Sequence, residues 1–202
     1  MLRPACRVFL LFLLAAAAAA QAPIAYAIRV PEPESHVAAV EARVPTDGRD
    51  SIELFMAVWT PGSYLVREYA RNVEAFRAYS PTGAELLWRK TRKNRWQVDA
   101  GGASHIEVKY KVYARELTVQ GNWVDASFAM LNGAPNFMTL VGGEKRPHEV
   151  RMMLPSAWTK SISGMAEGTG PHSFRAADFD ELLDCPIYAG NASIHEFVAA
   201  GR

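Results

Sequence analysis

The sequence predicts an all-β domain, with an antiparallel β-sandwich-like fold and one or two short helical segments, preceded by a signal peptide. Three observations support this prediction. Apolar and polar residues alternate along much of the chain, which is the period of a strand with one buried face. Gly, Pro, Asn and Asp cluster between these runs at short intervals and indicate turns. Helical periodicity is confined to short stretches, which disfavours a parallel α/β fold.

Four segments alternate strictly. In chain order, the residues expected to face the core are Val40, Ala42 and Val44; Trp96 and Val98; Ile106, Val108, Tyr110 and Val112; and Val150, Met152 and Leu154. The run from Ile52 to Val58 has apolar residues on both faces, so it is expected to be a central strand that is covered on both sides. Turn signals separate the runs at residues 45–50, 80–83, 99–104, 131–136 and 141–147.

The first helical candidate follows the central run, in the stretch WTPGSYLVREYARNV at residues 59–73. Its Pro-Gly pair predicts a turn. Leu65, Tyr69 and Val73 then recur every four residues, which predicts a short helical turn packed on the sheet. Arg67 and Arg71 would lie on another side of that turn, near solvent or a partner.

The second helical candidate is DFDELLD, from Asp178 to Asp184. Asp178 is expected to be the N-cap, because Glu181 follows three residues later in a capping-box pattern. Leu182 and Leu183 would dock this helix. A calcium loop is excluded by its template, which requires Gly and Glu at positions where this chain has Leu and Ala.

The first twenty residues have the pattern of a secretory signal peptide. Arg3 and Arg7 precede a thirteen-residue apolar run, and Ala18-Ala19-Ala20 offers a cleavage site before Gln21. The apolar run is shorter than the roughly twenty residues that a membrane-spanning helix needs. We therefore expect an exported protein, periplasmic or secreted, with no stable membrane span after cleavage and with residues 21–202 as one β-domain.

Charge and cysteine content exclude several function classes. Without Arg3 and Arg7 the chain has 20 basic residues against 21 acidic ones, so no basic excess points to nucleic acid. The locally basic run WRKTRKNRW, residues 88–96, is typical of a polar strand end and turn.

Cys185 is the single cysteine after the predicted cleavage site, so no internal disulfide is expected there. It lies in an apolar context with no adjacent His, which favours a buried, inert thiol.

No self-contained catalytic set or metal-chelating motif is found in the sequence. The five histidines lack chelating spacing, and HEFVA at residues 195–199 has Ala where a zinc helix has its second His. Ser63 follows Gly62, but Leu65 stands where a nucleophile elbow needs Gly. Distant carboxylates could still converge in space, as in glycosidases. The expectation for this chain alone is no catalytic residue, no metal ligand and no bound cofactor.

Several motifs together resemble one family. They are WTPGSYLVREYARNV, PTGAELLWRKTRKNRWQV, VKYKVYARELTVQGNWVD, LNGAPNF and FDELLDCPI. In this order they resemble the N-terminal β-domain of the glycyl aminopeptidase family, metallopeptidase family sixty-one, over roughly Tyr26 to Phe197. Each motif is modest on its own, and their order and spacing make the likeness specific.

The resemblance implies more than this chain contains. In the family, zinc is bound by an HExxH helix and a later Glu in a following catalytic domain, so zinc is expected in that domain and none here. It also implies a preference for small N-terminal residues such as Gly or Ala. We therefore expect a fragment of a longer protein that ends about where the catalytic domain would start. The chain would pack on its own catalytic domain and shape the cleft there, with that domain and peptide substrate as its partners. The candidates for substrate or interface contacts are Trp59, Tyr64, Arg67, Asn132, Asn136 and Phe137.

Two alternatives stay open at this point. The chain could be a stand-alone periplasmic binding or interaction module without catalysis, in which tryptophans form a stacking platform for sugar or peptide. Its five tryptophans are Trp59, Trp88, Trp96, Trp123 and Trp158. The domain could also serve only in folding or docking.

Overall fold

The computed structural model describes residues 21–195 and 197–199; the predicted signal peptide of residues 1–20 lies outside them. The described chain forms three β-sheets with two short α-helices, as predicted for an all-β, sandwich-like fold. The strands are β1 (Ile24–Arg29), β2 (Val37–Pro45), β3 (Ser51–Met56), β4 (Val73–Tyr79), β5 (Trp88–Arg92), β6 (Arg95–Asp99), β7 (His105–Tyr113), β8 (Trp123–Val124), β9 (Phe128–Leu131), β10 (Met138–Leu140), β11 (His148–Met153), β12 (Lys160–Ser163), β13 (Ala166–Glu167), β14 (Ser173–Ala176) and β15 (Ile187–Gly190). The helices are α1 (Gly133–Asn136) and α2 (Phe179–Asp184), and two 3-10 turns span Pro33–Ser35 and Tyr69–Asn72.

The largest sheet has seven strands in the order β13-β14-β11-β1-β2-β7-β4. A second sheet has the order β10-β3-β6-β5, and a third has the order β12-β15-β9-β8. Neighbouring strands are antiparallel as predicted, except that β1 pairs with β11 in parallel. A parallel pair needs a long crossover, and nearly the whole central part of the chain lies between these two strands.

The core lies between the seven-stranded sheet and the β10-β3-β6-β5 sheet. The inward residues of β1, β2 and β7 are the alternating apolar set, with Val40 1% and Val112 0% exposed. Phe76 of the large sheet stacks on Trp96 of the second sheet, with 5.6 Å between ring centroids. The opposite face of the large sheet is charged and open, as the ion pair between Arg29 and Glu41 shows.

The run from Ile52 to Val58 does form a central strand, as predicted, but only one of its faces is fully covered. β3 is paired on both sides, with β10 and β6. One face of β3 is buried, but the other carries Glu53, which pairs with Arg95 at 2.7 Å and stays partly exposed. The strand also ends at Met56 instead of Val58. Glu53 within the apolar run was the signal that this face reaches water.

The predicted helical turn of residues 65–73 is also corrected. Only Tyr69–Asn72 is helical, as a 3-10 turn, and Tyr69 is buried there. Leu65 is 62% exposed and therefore does not pack on the sheet. Glu68 has a left-handed backbone conformation (φ 47°), which breaks any continuous helix between Leu65 and Tyr69.

The α2 segment forms as its sequence predicts. Asp178 is the N-cap and accepts a hydrogen bond from the backbone N–H of Glu181 at 3.1 Å. Leu182 is fully buried, while Leu183 is half-buried. The short helix thus covers part of the outer face of the second sheet, where Phe179 meets Phe55 edge to face at 5.5 Å.

Candidate functional site

Two loops form the candidate site at one end of the sheets. The first loop, residues 57–68, leaves β3, and the second loop, residues 114–122, leaves β7. Large apolar side chains on them are exposed: Trp59, Tyr64, Leu65, Val66, Leu117 and Val119. We call these six residues the loop face. Exposed apolar side chains concentrated on adjacent loops are typical of an interaction surface.

Side-chain hydrogen bonds brace the first loop around Ser63, which is buried. The indole Nε1 of Trp59 donates to the Ser63 carbonyl at 2.7 Å. Arg67 Nε donates to Ser63 Oγ at 3.3 Å, and the Arg67 backbone N–H donates to the Val58 carbonyl at 2.7 Å. Trp59 keeps 48% of its surface exposed despite this bond, and Tyr64 is fully exposed at the loop tip. The loop is therefore braced from inside and presents aromatic rings outward.

Three asparagines join the second loop to α1. Asn136 Nδ2 donates to Asn122 Oδ1 at 2.9 Å, and the backbone N–H of Asn132 donates to the same oxygen at 2.9 Å. The Asn132 amide in turn donates to the Gly121 carbonyl. Tyr110 of the core donates its hydroxyl to the Asn136 carbonyl at 2.7 Å, which anchors the network to the large sheet. The asparagines fix the second loop relative to the core.

An open groove of about 460 Å³ lies between the two loops, α1 and the end of α2. Thr60, Tyr69, Gln120, Asn132, Pro135 and Pro186 are among its lining residues. Burial raises the pKa of Tyr69, so its hydroxyl stays protonated over the physiological range. The groove combines apolar walls with hydroxyl and amide groups and the exposed carboxylate of Asp184, a mixture that suits a polypeptide segment.

The structure divides the six predicted site residues into two kinds. Trp59, Tyr64 and Arg67 lie together on the first loop, and Asn132 lines the groove, half-buried. Asn136 and Phe137 have no exposed surface in the described chain. Their effect on any contact would be indirect, through the loops that they hold.

Sequence reasoning missed the second loop. Leu117, Val119, Gln120 and Asn122 belong to the site but were not among the predicted residues. Two apolar side chains in an otherwise polar loop were the available signal. Their proximity to the first loop, seen in the 3.4 Å distance from Ser63 Oγ to Gln120 Oε1, depends on the fold.

The proposed tryptophan platform does not form. Trp96 and Trp158 are buried, and Trp88 is half-buried against Phe76, with 4.8 Å between ring centroids. Trp123 is also half-buried, next to His36. The five indoles are therefore distributed through the fold and do not share one surface.

Cys185 is half-buried instead of buried, and burial raises the pKa of its thiol, which disfavours the nucleophilic thiolate. Among the described residues, no group of three or more His, Cys, Asp and Glu side chains could hold a metal ion. In the same residues no helix is long and apolar enough to span a membrane.

The fold and the loop face together define a β-sandwich-like domain with an exposed apolar surface on its loops. The family model described as Peptidase M61 N-terminal domain matches residues 25–191. The chain therefore belongs to this peptidase family, whose N-terminal domain it forms. The resemblance drawn from the ordered motifs is confirmed.

One solved structure agrees with this assignment. The chain is 31% identical to an aminopeptidase N family protein from Idiomarina loihiensis, with a TM-score of 0.81 over 88% of this chain. It spans 31% of that protein's length. An M1 zinc metallopeptidase from Deinococcus radiodurans shares 13% identity at a TM-score of 0.45, covering 83% of this chain and 41% of that one. A comparison with curated protein sequences finds no match.

Proposed function

We propose that the chain is the accessory N-terminal domain of an exported, zinc-dependent aminopeptidase-like protein. It packs on the catalytic domain of that protein and forms one wall of the substrate cleft. The observation that carries the proposal is the loop face, an apolar surface on braced loops in a domain of a peptidase family. We assign zinc to the catalytic domain because the family resemblance implies it.

The energetics of the loop face favour a protein partner. Fully burying one large apolar side chain contributes about 1.5–3 kcal/mol. Val119 is 92% exposed and Tyr64 is fully exposed, so each retains nearly all of that contribution for an intermolecular or interdomain contact. The bracing around Ser63 reduces the entropy that the first loop would lose on docking.

A preference for small N-terminal residues, which the family resemblance implies, is compatible with this arrangement. Gly or Ala offers little apolar contact area, so selectivity has to come from excluding larger residues. Braced loops that line a cleft can exclude larger side chains. Tyr64 at the loop tip and Asn132 in the groove are the residues that we place nearest to the substrate.

The first experiment is to read the gene downstream of codon 202. The proposal expects an open frame that encodes an HExxH segment. A stop codon with no such segment in frame would contradict the proposal for this protein. The stand-alone binding module would then become the better account of the chain.

The second experiment uses Tyr64→Ala in the full-length protein, with Tyr113→Ala as the matched control. Tyr113 is an exposed tyrosine at the end of β7 on the large sheet. For a cleft wall we expect kcat/KM on a glycyl anilide to fall roughly tenfold, equivalent to about 1.4 kcal/mol, with unchanged thermal stability. An unchanged kcat/KM with lower stability would indicate docking alone.

A further inference from the structure

A second groove lies beside the loop face, at the tip of the β5–β6 hairpin. It has a volume of about 520 Å³ and lies between that hairpin tip and the chain around the 3-10 turn at Tyr69–Asn72. Apolar residues on its surface are Val58, Val66 and Ala70. The basic run of residues 88–96, singled out in the sequence, forms this hairpin, with strands on both sides of a turn at Lys93 and Asn94.

The groove is strongly cationic. Its lining includes Arg71, Lys90, Arg92 and Lys93 against the single carboxylate of Glu68. The whole chain has a formal net charge of only +1, so this excess is local. Arg71 and Arg92 form no ion pair with any residue that the structure describes. Two guanidinium groups are thus available to an anion.

The cationic side chains of the groove are not explained by the need to protect an edge strand from pairing with other molecules. β5 is the last strand of its sheet, and Lys and Arg on an edge strand discourage pairing with other molecules. That argument covers Lys90 and Arg92. Arg71 comes from a different element, the 3-10 turn, and lines the same groove. Cations from separate elements therefore converge on one groove, and edge protection leaves Arg71 unexplained.

The groove is held in shape by its own hydrogen bonds. Asn94 Nδ2 donates to the Met56 carbonyl at 2.8 Å, and the Met56 N–H donates to the Asn94 carbonyl at 3.0 Å. Lys90 lies over the ring of Trp96 at 4.6 Å and donates to the Lys93 carbonyl at 2.9 Å. The hairpin tip is therefore fastened to the end of β3, so little ordering is needed when a ligand binds.

The side chain of Glu68 places one carboxylate against the cations of the groove. Its side chain lies 2.8 Å from Lys93 Nζ, and this hydrogen bond lowers the pKa of Glu68 and raises that of Lys93. Both groups are exposed, so the contact is weak and exchangeable. Glu68 lines the groove and has a left-handed backbone conformation, which carries a conformational cost for a residue other than Gly.

We propose that this groove binds an acidic, partly apolar segment of a protein partner, and that Glu68 occupies the position of one ligand carboxylate until the partner arrives. Arg71 and Arg92 would pair with further carboxylates of the segment. Val58 and Ala70 would contact its apolar side chains. A lone phosphate would leave those apolar residues and most of the volume unused. The proposal does not depend on the catalytic domain.

The test uses a fluorescein-labelled octapeptide of alternating Glu and Val, and fluorescence anisotropy with the purified chain. We expect binding that weakens several-fold when NaCl rises from about 20 mM to about 300 mM. The Arg71→Ala, Arg92→Ala double variant should lose at least about tenfold in affinity, since two charge-assisted contacts are removed. The matched control is Lys109→Ala with Lys111→Ala on exposed positions of β7, and it should bind as the wild type does.

Glu68→Gln should raise the affinity for the octapeptide instead of lowering it, and misfolding would not produce such a gain. Removing the internal carboxylate frees Lys93, so affinity for the octapeptide should rise about threefold or more. Glu85→Gln removes a carboxylate from another exposed ion pair, that with Arg77 at 3.2 Å, and should leave affinity unchanged. Equal gains from the two variants would show a general charge effect and overturn the proposal.

Two further outcomes would also overturn it. An octapeptide with Gln in place of Glu should not bind, and equal binding of that peptide would remove the role of the cations. Vesicles of phosphatidylserine and phosphatidylcholine should not bind measurably better than phosphatidylcholine alone. Binding to those anionic vesicles, with no binding of the octapeptide, would assign the groove to a membrane surface instead.

Discussion

At the scale of single residues, His148 illustrates how burial changes chemistry. It opens β11 on the same side as Val150 and Met152, and its imidazole is fully buried. The Tyr26 ring stacks on it at 5.9 Å, Phe179 contacts it at 5.5 Å, and Thr139 Oγ1 lies 3.0 Å from its Nε2. Burial lowers the pKa of His148 to about 4, although the Arg146 backbone and the Asp178 carboxylate act in the opposite direction.

This shift predicts a pH-dependent stability. Above about pH 6.5 the imidazole is neutral in the folded and unfolded chains, and its stabilising contribution is complete. As pH falls through about 6.5 only the unfolded chain gains the proton, so the free energy of unfolding decreases by up to about 1.4 kcal/mol per pH unit towards pH 4. We expect His148→Gln to lower the stability at neutral pH and to flatten this slope.

The measurement is chemical denaturation between about pH 5 and 6.5, where the carboxylates of Glu53 and Asp178, whose pKa values are lowered, contribute little slope. His195→Gln is the matched control, because that side chain is exposed. An undiminished slope in His148→Gln would show that another group carries the pH dependence.

At the scale of elements, the contact between α1 and α2 explains one motif residue. Gly133 opens α1 within LNGAPNF, and the backbone of α2 passes directly against it. A Cβ at this position would collide with the Leu182 carbonyl oxygen and lie 2.6 Å from the Leu183 Cα. Because the obstacle is backbone, one of the two helices would have to move.

We therefore expect Gly133→Ala to lower the free energy of unfolding by about 1–3 kcal/mol, the usual cost of overpacking. Urea denaturation measures this change. Gly164→Ala is the control: a Cβ there meets only Cys185 Sγ at an ordinary 3.5 Å. If Gly133→Ala unfolds at the same urea concentration as the wild type, α1 and α2 are not tightly packed in solution.

Elements with strict alternation could be predicted from the sequence, and contacts between distant elements could not. The burial of Val108 and Tyr110 follows from polar neighbours that must face water. Phe137 stands in LNGAPNF, which has no periodic pattern. It is buried because Tyr26 packs against it at 4.8 Å, and Tyr26 comes from a strand more than one hundred residues earlier. The same limit applies to Ser63 and Gln120, which come together from two loops.

At the scale of the whole molecule, the domain buries its core between sheets but leaves the loop face uncovered. The core needs nothing from Leu117 and Val119, which are exposed on the second loop. Their contribution to stability should therefore depend on what covers them. Substitutions at these two positions should therefore affect the stability of the longer protein that we propose, and not that of the isolated chain.

The double variant Leu117→Lys, Val119→Lys tests this separation. In the isolated chain we expect a change within about 0.5 kcal/mol per substitution, since both positions are on the surface. In the full-length protein the charges would be buried at the domain interface, so the first thermal transition should fall by several degrees. Leu87→Lys, at an exposed position outside the loop face, should change neither protein. A loss of stability in the isolated chain would show that the second loop packs within this domain, whereas an unaffected full-length protein would show that the loop face is not where the catalytic domain docks.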